Sequence, residues 1–171
     1  MKKIIYTIIV IFIGFEYVNA QNNAVITVFI NQDNTKIPIY TSPQCDKESY
    51  SIFQDSIFEH FFWIEIIGES ALTFEVKIGS ASQDNSPIIN GWIEKKYCGV
   101  FLSSGRNIKI FETVNENSPY EQFVLENDIL ANVVNICLDG RGFIKVIFRI
   151  KDRYYEGWVK DYCGSIYNSC N

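Results

Sequence analysis

The chain has 171 residues, 47% of them hydrophobic and 20% charged, with three Trp, a single His and five Cys; 15 Lys plus Arg against 20 Asp plus Glu leave a net charge of -5. An acidic surface of this kind repels phosphate backbones, because nucleic-acid binding works by cationic side chains displacing counterions, and anionic membrane surfaces are disfavoured on the same ground. The length suffices for one ordinary domain or two very small ones.

Residues 1–20 read MKKIIYTIIVIFIGFEYVNA, with Lys2 and Lys3 before an apolar run and small residues at Val18-Asn19-Ala20. That is the anatomy of a secretory signal peptide cleaved after Ala20. The apolar run is short of the roughly 20 residues a membrane span takes, so the expectation is an exported chain, periplasmic or secreted, with no stable membrane insertion. Removing the leader takes away Lys2, Lys3 and Glu16 and leaves 13 basic against 19 acidic residues, a net charge of -6.

The remainder is internally repeated. At an offset of 70, Tyr50 matches Tyr120, Phe53 matches Phe123, Ile64 matches Val134, Ile66 matches Ile136 and Val76 matches Val146; the offset falls to 66 at the phrases "GWIEKKYCG" and "GWVKDYCG". Insertions fall in polar, turn-like sequence, as in a repeated fold. In each copy the segments read as strands. "TFEVKI" alternates apolar and charged residues, as a half-buried strand does, whereas "IKVIFRI" is almost continuously apolar and suggests a strand covered on both faces. "IGES" and "LDGRG" supply turn residues and read as the same hairpin in the two copies. In "YEQFVLENDILANVVNI" a helical stripe of Phe123, Leu130 and Val134 competes with a loop followed by a strand; the Val and Ile cluster running into the turn favours the strand. "FLSSGRN", residues 101–107, is a short polar join, so the two copies should pack side by side.

The order strand, polar turn, strand, Gly-Trp-(Ile or Val), polar bend, Tyr-Cys-Gly resembles the end of an SH3-like domain, where a Gly-aromatic-aliphatic strand is followed by a one-turn helix and a tyrosine. "TFEV" with "GWI" and "FIKV" with "GWV" are similar to the pattern of bacterial SH3-like (SH3b-type) domains of exported proteins. The resemblance implies an all-β chain of two small SH3-like barrels in tandem after the cleaved leader, at 24–101 and 105–171. Gly91 and Gly157 would stand where a neighbouring strand leaves no room for a side chain. Glu94 and Lys160 occupy the place of the proline in signalling SH3 domains, so recognition of PxxP peptides is not implied.

Catalytic constellations are poorly supported. Any base-nucleophile dyad must use His60, and a Cys98-His60 pair would need a peptidase domain for which no residues remain. Cys45, Cys98, Cys137, Cys163 and Cys170 form no CxxC pair, so neither a metal site nor a cofactor is expected. In an exported chain they are disulfide candidates, with at least one link expected within a copy and Cys45–Cys98 slightly preferred because its loop of roughly fifty residues would remove several kcal/mol of unfolded-state entropy; the rival reading is that all are reduced, buried and inert. Glu65 with Glu75, and Asp152 with Glu156, are carboxylate pairs that solvated strand faces already explain.

The aromatic residues remain. The SH3-like resemblance places a ligand groove at Tyr40, Trp92 and Tyr97 in the first copy and at Phe111, Trp158 and Tyr162 in the second, against the plainer reading that these rings fill small cores. The function expected is a non-catalytic exported binding module for a peptide, a cell-wall fragment or an envelope protein. The alternative is an inhibitor or immunity-type protein that plugs a partner enzyme.

Overall fold

A computed structural model describes residues 26–30, 35–54, 62–80 and 88–163. The leader, His60 and Cys170 lie outside the described residues. Twelve strands follow one another among the described residues: β1 (Ile26–Ile30), β2 (Thr35–Tyr40), β3 (Glu48–Gln54), β4 (Phe62–Glu69), β5 (Thr73–Ser80), β6 (Ile89–Glu94), β7 (Cys98–Leu102), β8 (Asn107–Phe111), β9 (Tyr120–Val124), β10 (Ile129–Ile136), β11 (Ile144–Ile150) and β12 (Arg153–Val159). A one-turn 3₁₀ helix at Lys95–Tyr97 separates β6 from β7. The fold is all-β, two six-stranded antiparallel sheets in tandem, and no α-helix occurs among the described residues. No helix there is long and apolar enough to cross a membrane.

The ladders run β3-β2-β6-β5-β4-β1 in the first half and β7-β10-β11-β12-β8-β9 in the second, joined through β1 and β7. Every pairing is antiparallel. Strand β7 is held on both sides: Cys98 and Gly99 pair with β1, and Gly99 to Leu102 pair with β10. Phe101 also bridges Cys163, with both backbone N–H groups donating across at 2.9 Å. One hydrophobic core therefore runs through both halves, including Val28, Ile64, Val76, Val100, Leu102, Val133 and Val146.

The repeat is visible in the hydrogen-bond register. Val76 opposes Gly91 and Val146 opposes Gly157, and the strand entering from the hairpin before them meets the tryptophan in both halves, Tyr40 opposite Trp92 and Phe111 opposite Trp158. A bulge lies at the same step, after Ile66 in β4 and after Val133 in β10. The bulge aligns Ile66 with Val133, three residues short of the offset read from the sequence, because the β10–β11 turn is longer. That turn closes through Cys137 N–H donating to the Phe143 carbonyl at 2.9 Å, with Gly140 and Gly142 at φ of 82° and 74°.

Two strand readings are refined. In β11, Ile144, Val146 and Phe148 are buried while Lys145, Ile147 and Arg149 are not, so one face is covered rather than two. The helical alternative for residues 120–136 is not formed; β9, a short loop and β10 occupy it.

Candidate functional site

The site begins with two glycines. A Cβ on Gly91 would lie 2.5 Å from Ile39 Cγ2 and 2.9 Å from the Tyr40 carbonyl oxygen; on Gly157 it would lie 2.4 Å from Ile110 Cγ2 and 3.1 Å from the Phe111 carbonyl oxygen. Bare backbone there lets β2 and β8 cross closely over β6 and β12, which places Tyr40 beside Trp92 and Phe111 beside Trp158. Each tryptophan has a charged cross-strand neighbour on its other side, Glu75 for Trp92 and Lys145 for Trp158.

The six sequence-derived groove residues are not equally exposed. Tyr40, Trp92 and Trp158 are half-buried and Phe111 is buried. Tyr97 and Tyr162 pack against the core, and burial pushes the Tyr162 phenol up to about 12. In the first half Tyr40, Trp92 and Tyr97 are neighbours: burial, then the charges of Glu94, Cys45 and Tyr97, raise the Tyr40 phenol above its ordinary value. Lys96 Nζ lies 4.8 Å above the Tyr97 ring. In the second half Phe111 contacts Tyr120 and Phe143, with centroids 5.5 and 5.7 Å apart.

A cleft of about 270 Å³ runs between the β8–β9 hairpin and the start of β12. Ile110, Phe111, Glu112, Pro119, Tyr120 and Glu121 form one wall, and Arg153, Tyr154, Tyr155 and Glu156 form the other. Tyr155 stacks on Phe148 with centroids 5.5 Å apart and meets the edge of Phe123 at 4.7 Å, so the aromatic wall is fixed from behind. Of the groove residues expected from sequence, Phe111 alone lines this cleft. The sequence signal that could have found the rest is "DRYYEGW", set against "SPIINGW" at the same place in the first copy.

The cysteines correct one expectation. Cys45, Cys98 and Cys137 are free thiols, so the Cys45–Cys98 link is not formed. Cys98 is fully buried in β7, and burial pushes its thiol far up. Cys45 sits in the turn after β2, its thiol raised first by burial and then by Glu94. Cys163 is disulfide-bonded.

Three of the four carboxylates weighed from sequence are engaged in surface ion pairs: Glu65 with Lys77 at 3.6 Å, Asp152 with Arg149 at 2.8 Å and Glu156 with Lys145 at 2.5 Å. No group of three or more potential metal ligands occurs among the described residues.

No protein-family model matches the chain, and no curated protein sequence matches it. A similar solved structure is that of NlpC2 from Trichomonas vaginalis, 15% identical over 81% of this chain, with a TM-score of 0.33. This chain spans 47% of that one, and a superposition of that quality does not establish a common fold.

Proposed function

We propose that the protein is an exported, non-catalytic binding module that takes a peptide, a cell-wall fragment or an envelope protein on the aromatic surface its two Gly-Trp strands organise. The observation that carries this reading is the twofold construction of one feature: a side-chain-free glycine admits a crossing strand, and the crossing strand sets an aromatic ring against a half-buried tryptophan. Core filling alone asks for buried rings. Trp92 and Trp158 keep part of their surface in water, and the cleft beside Phe111 adds Tyr120 and Tyr154, 48% and 69% exposed. Rigid aromatic side chains of this kind supply contact area with little entropy lost on binding.

Co-sedimentation with insoluble peptidoglycan, run beside size-exclusion of the protein mixed with purified envelope proteins, tests the reading. Retention on the wall, or a complex with a peptide-bearing envelope protein, weakened in Trp92→Ala or Trp158→Ala and without cleavage of the target, supports it. Stoichiometric association with one folded enzyme and loss of that enzyme's activity would move the assignment to an inhibitor. Target cleavage that disappears in His60→Ala would make it a hydrolase.

A further inference from the structure

We infer that the cleft of the second half is specialised for a cationic group, a protonated amine or guanidinium on an extended peptide, and that the first half lacks this site. The inference deepens the binding-module reading and rests on it. The repeat supplies an internal comparison, because ladder register fixes which residues correspond. Phe148 and Tyr155 are partners in β11 and β12 as Ile78 and Ile89 are in β5 and β6, and Phe123 opposes Ile108 as Ile52 opposes Ile37. The aromatic wall behind the cleft is thus built of isoleucines in the first half. The same register sets Glu121 against Tyr50, Glu156 against Asn90 and Glu112 against Thr41. One scaffold, with the crossing glycine and tryptophan unchanged, has thus acquired three carboxylates and a tyrosine wall in one copy.

The chain's own cations already use such positions. Arg153 lies 4.9 Å over the Tyr155 ring and 4.0 Å from Glu121, Lys109 Nζ lies 4.9 Å over Tyr120, and Arg149 lies 5.7 Å over Tyr154. Glu156 is held by Lys145. Glu112, exposed on the cleft wall, has no ion-pair partner among the described residues. A ligand cation at Glu112, in the cleft that Tyr120 and Tyr154 also line, would repeat the pairing of carboxylate and aromatic wall that Arg153 makes with Glu121 and Tyr155. Carboxylate and aromatic face together select a cation over a neutral isostere.

The test is an amide-resolved NMR titration of the protein with Nα-acetyl-lysine-N-methylamide, and in parallel with its Nε-acetylated form, which keeps the shape and loses the charge. The expected result is saturable shifts at Glu112, Glu121, Tyr154 and Tyr155 in the millimolar range of a single exposed ion pair, and a several-fold weaker response to the acetylated probe. Glu112→Gln should weaken the lysine probe about three- to five-fold, and Tyr154→Ala, at an exposed position, should weaken it while the spectrum stays dispersed. Amides of Thr41, Ile88 and Asn90 should not move. Equal response to both probes, or no shift along the cleft, overturns the inference. Shifts confined to Tyr40 and Trp92 would overturn it while leaving the binding-module reading intact.

Discussion

At the scale of single residues, Gly91 and Gly157 carry the most structural information, and they were legible in the sequence because the phrase around them occurs twice. Contacts of 2.4–2.5 Å from a hypothetical Cβ to an isoleucine methyl leave no space for alanine. Gly91→Ala and Gly157→Ala should each cost about 1–3 kcal/mol, the range for overpacked sites, read as a lower urea midpoint. The cysteines were less legible, since letters do not show which thiols meet. Cys98 is enclosed by β1 and β10 on either side of its strand and stays a thiol. Its proton and that of Tyr162 are both held above their ordinary values by burial, Tyr162 to about 12. Below about pH 7.5 both groups are protonated in the folded and unfolded chain and contribute nothing to pH dependence. Above it the unfolded chain releases protons that the folded chain keeps, so stability falls as pH rises, by up to about 1.4 kcal/mol per pH unit for each group. Thermal midpoints should be flat toward neutral pH and drop from about pH 8 upward, with a later onset in Cys98→Ala. A midpoint independent of pH between about 9 and 11 would show that Cys98 ionises without penalty.

At the scale of elements, the strands and the hairpin pattern followed from alternation and turn residues, but the register did not. Matching like letters aligned Tyr50 with Tyr120 and Phe53 with Phe123. The ladders instead put Ile39 opposite Tyr50 and Ile110 opposite Glu121, which shifts this hairpin by one residue. A shift of one sends every side chain to the other face, and burial agrees: Ile52 is 2% exposed and matches Phe123, while Phe53 is 49% exposed and matches Val124, itself 70% exposed. Aromatic identity misled because both faces of these short strands carry large apolar residues. Ile52→Ala should therefore cost about 2–5 kcal/mol, as buried truncations do, and Phe53→Ala should stay within about 0.5 kcal/mol of wild type. The reverse order in denaturant melts would restore the register read from sequence. The cleft was hidden for a related reason: Glu112, Tyr120 and Tyr154 converge only once β8 has crossed β12, and no local pattern encodes that crossing.

For the whole molecule, the two halves share a strand and a core. Strand β7 completes ladders on both sides, and Lys95, from the turn before it, donates to Glu69 at 2.5 Å and to the Val134 carbonyl at 3.1 Å in the other half. That ion pair is largely buried, at 14% and 20% exposure, and Lys95 also lies 4.9 Å over the Phe74 ring. The expected outcome is one cooperative unfolding transition for both halves, lowered by about 1–3 kcal/mol in Lys95→Ala, which strands the Glu69 carboxylate and the carbonyl. A fragment of residues 105–171 should fail to fold, since it lacks β7; two separate transitions in calorimetry would refute this coupling. The central claim, that the repeated glycine-tryptophan crossing serves binding without catalysis, is tested most directly by NMR of the labelled protein with a soluble peptidoglycan digest, following protein amides and ligand signals in one sample. The account predicts saturable perturbation of amides at Tyr40, Trp92, Phe111 and Trp158 and along the β8–β12 cleft, with ligand signals that shift but yield no new products. Perturbation confined to the opposite faces of the sheets, or the growth of product signals, would contradict it.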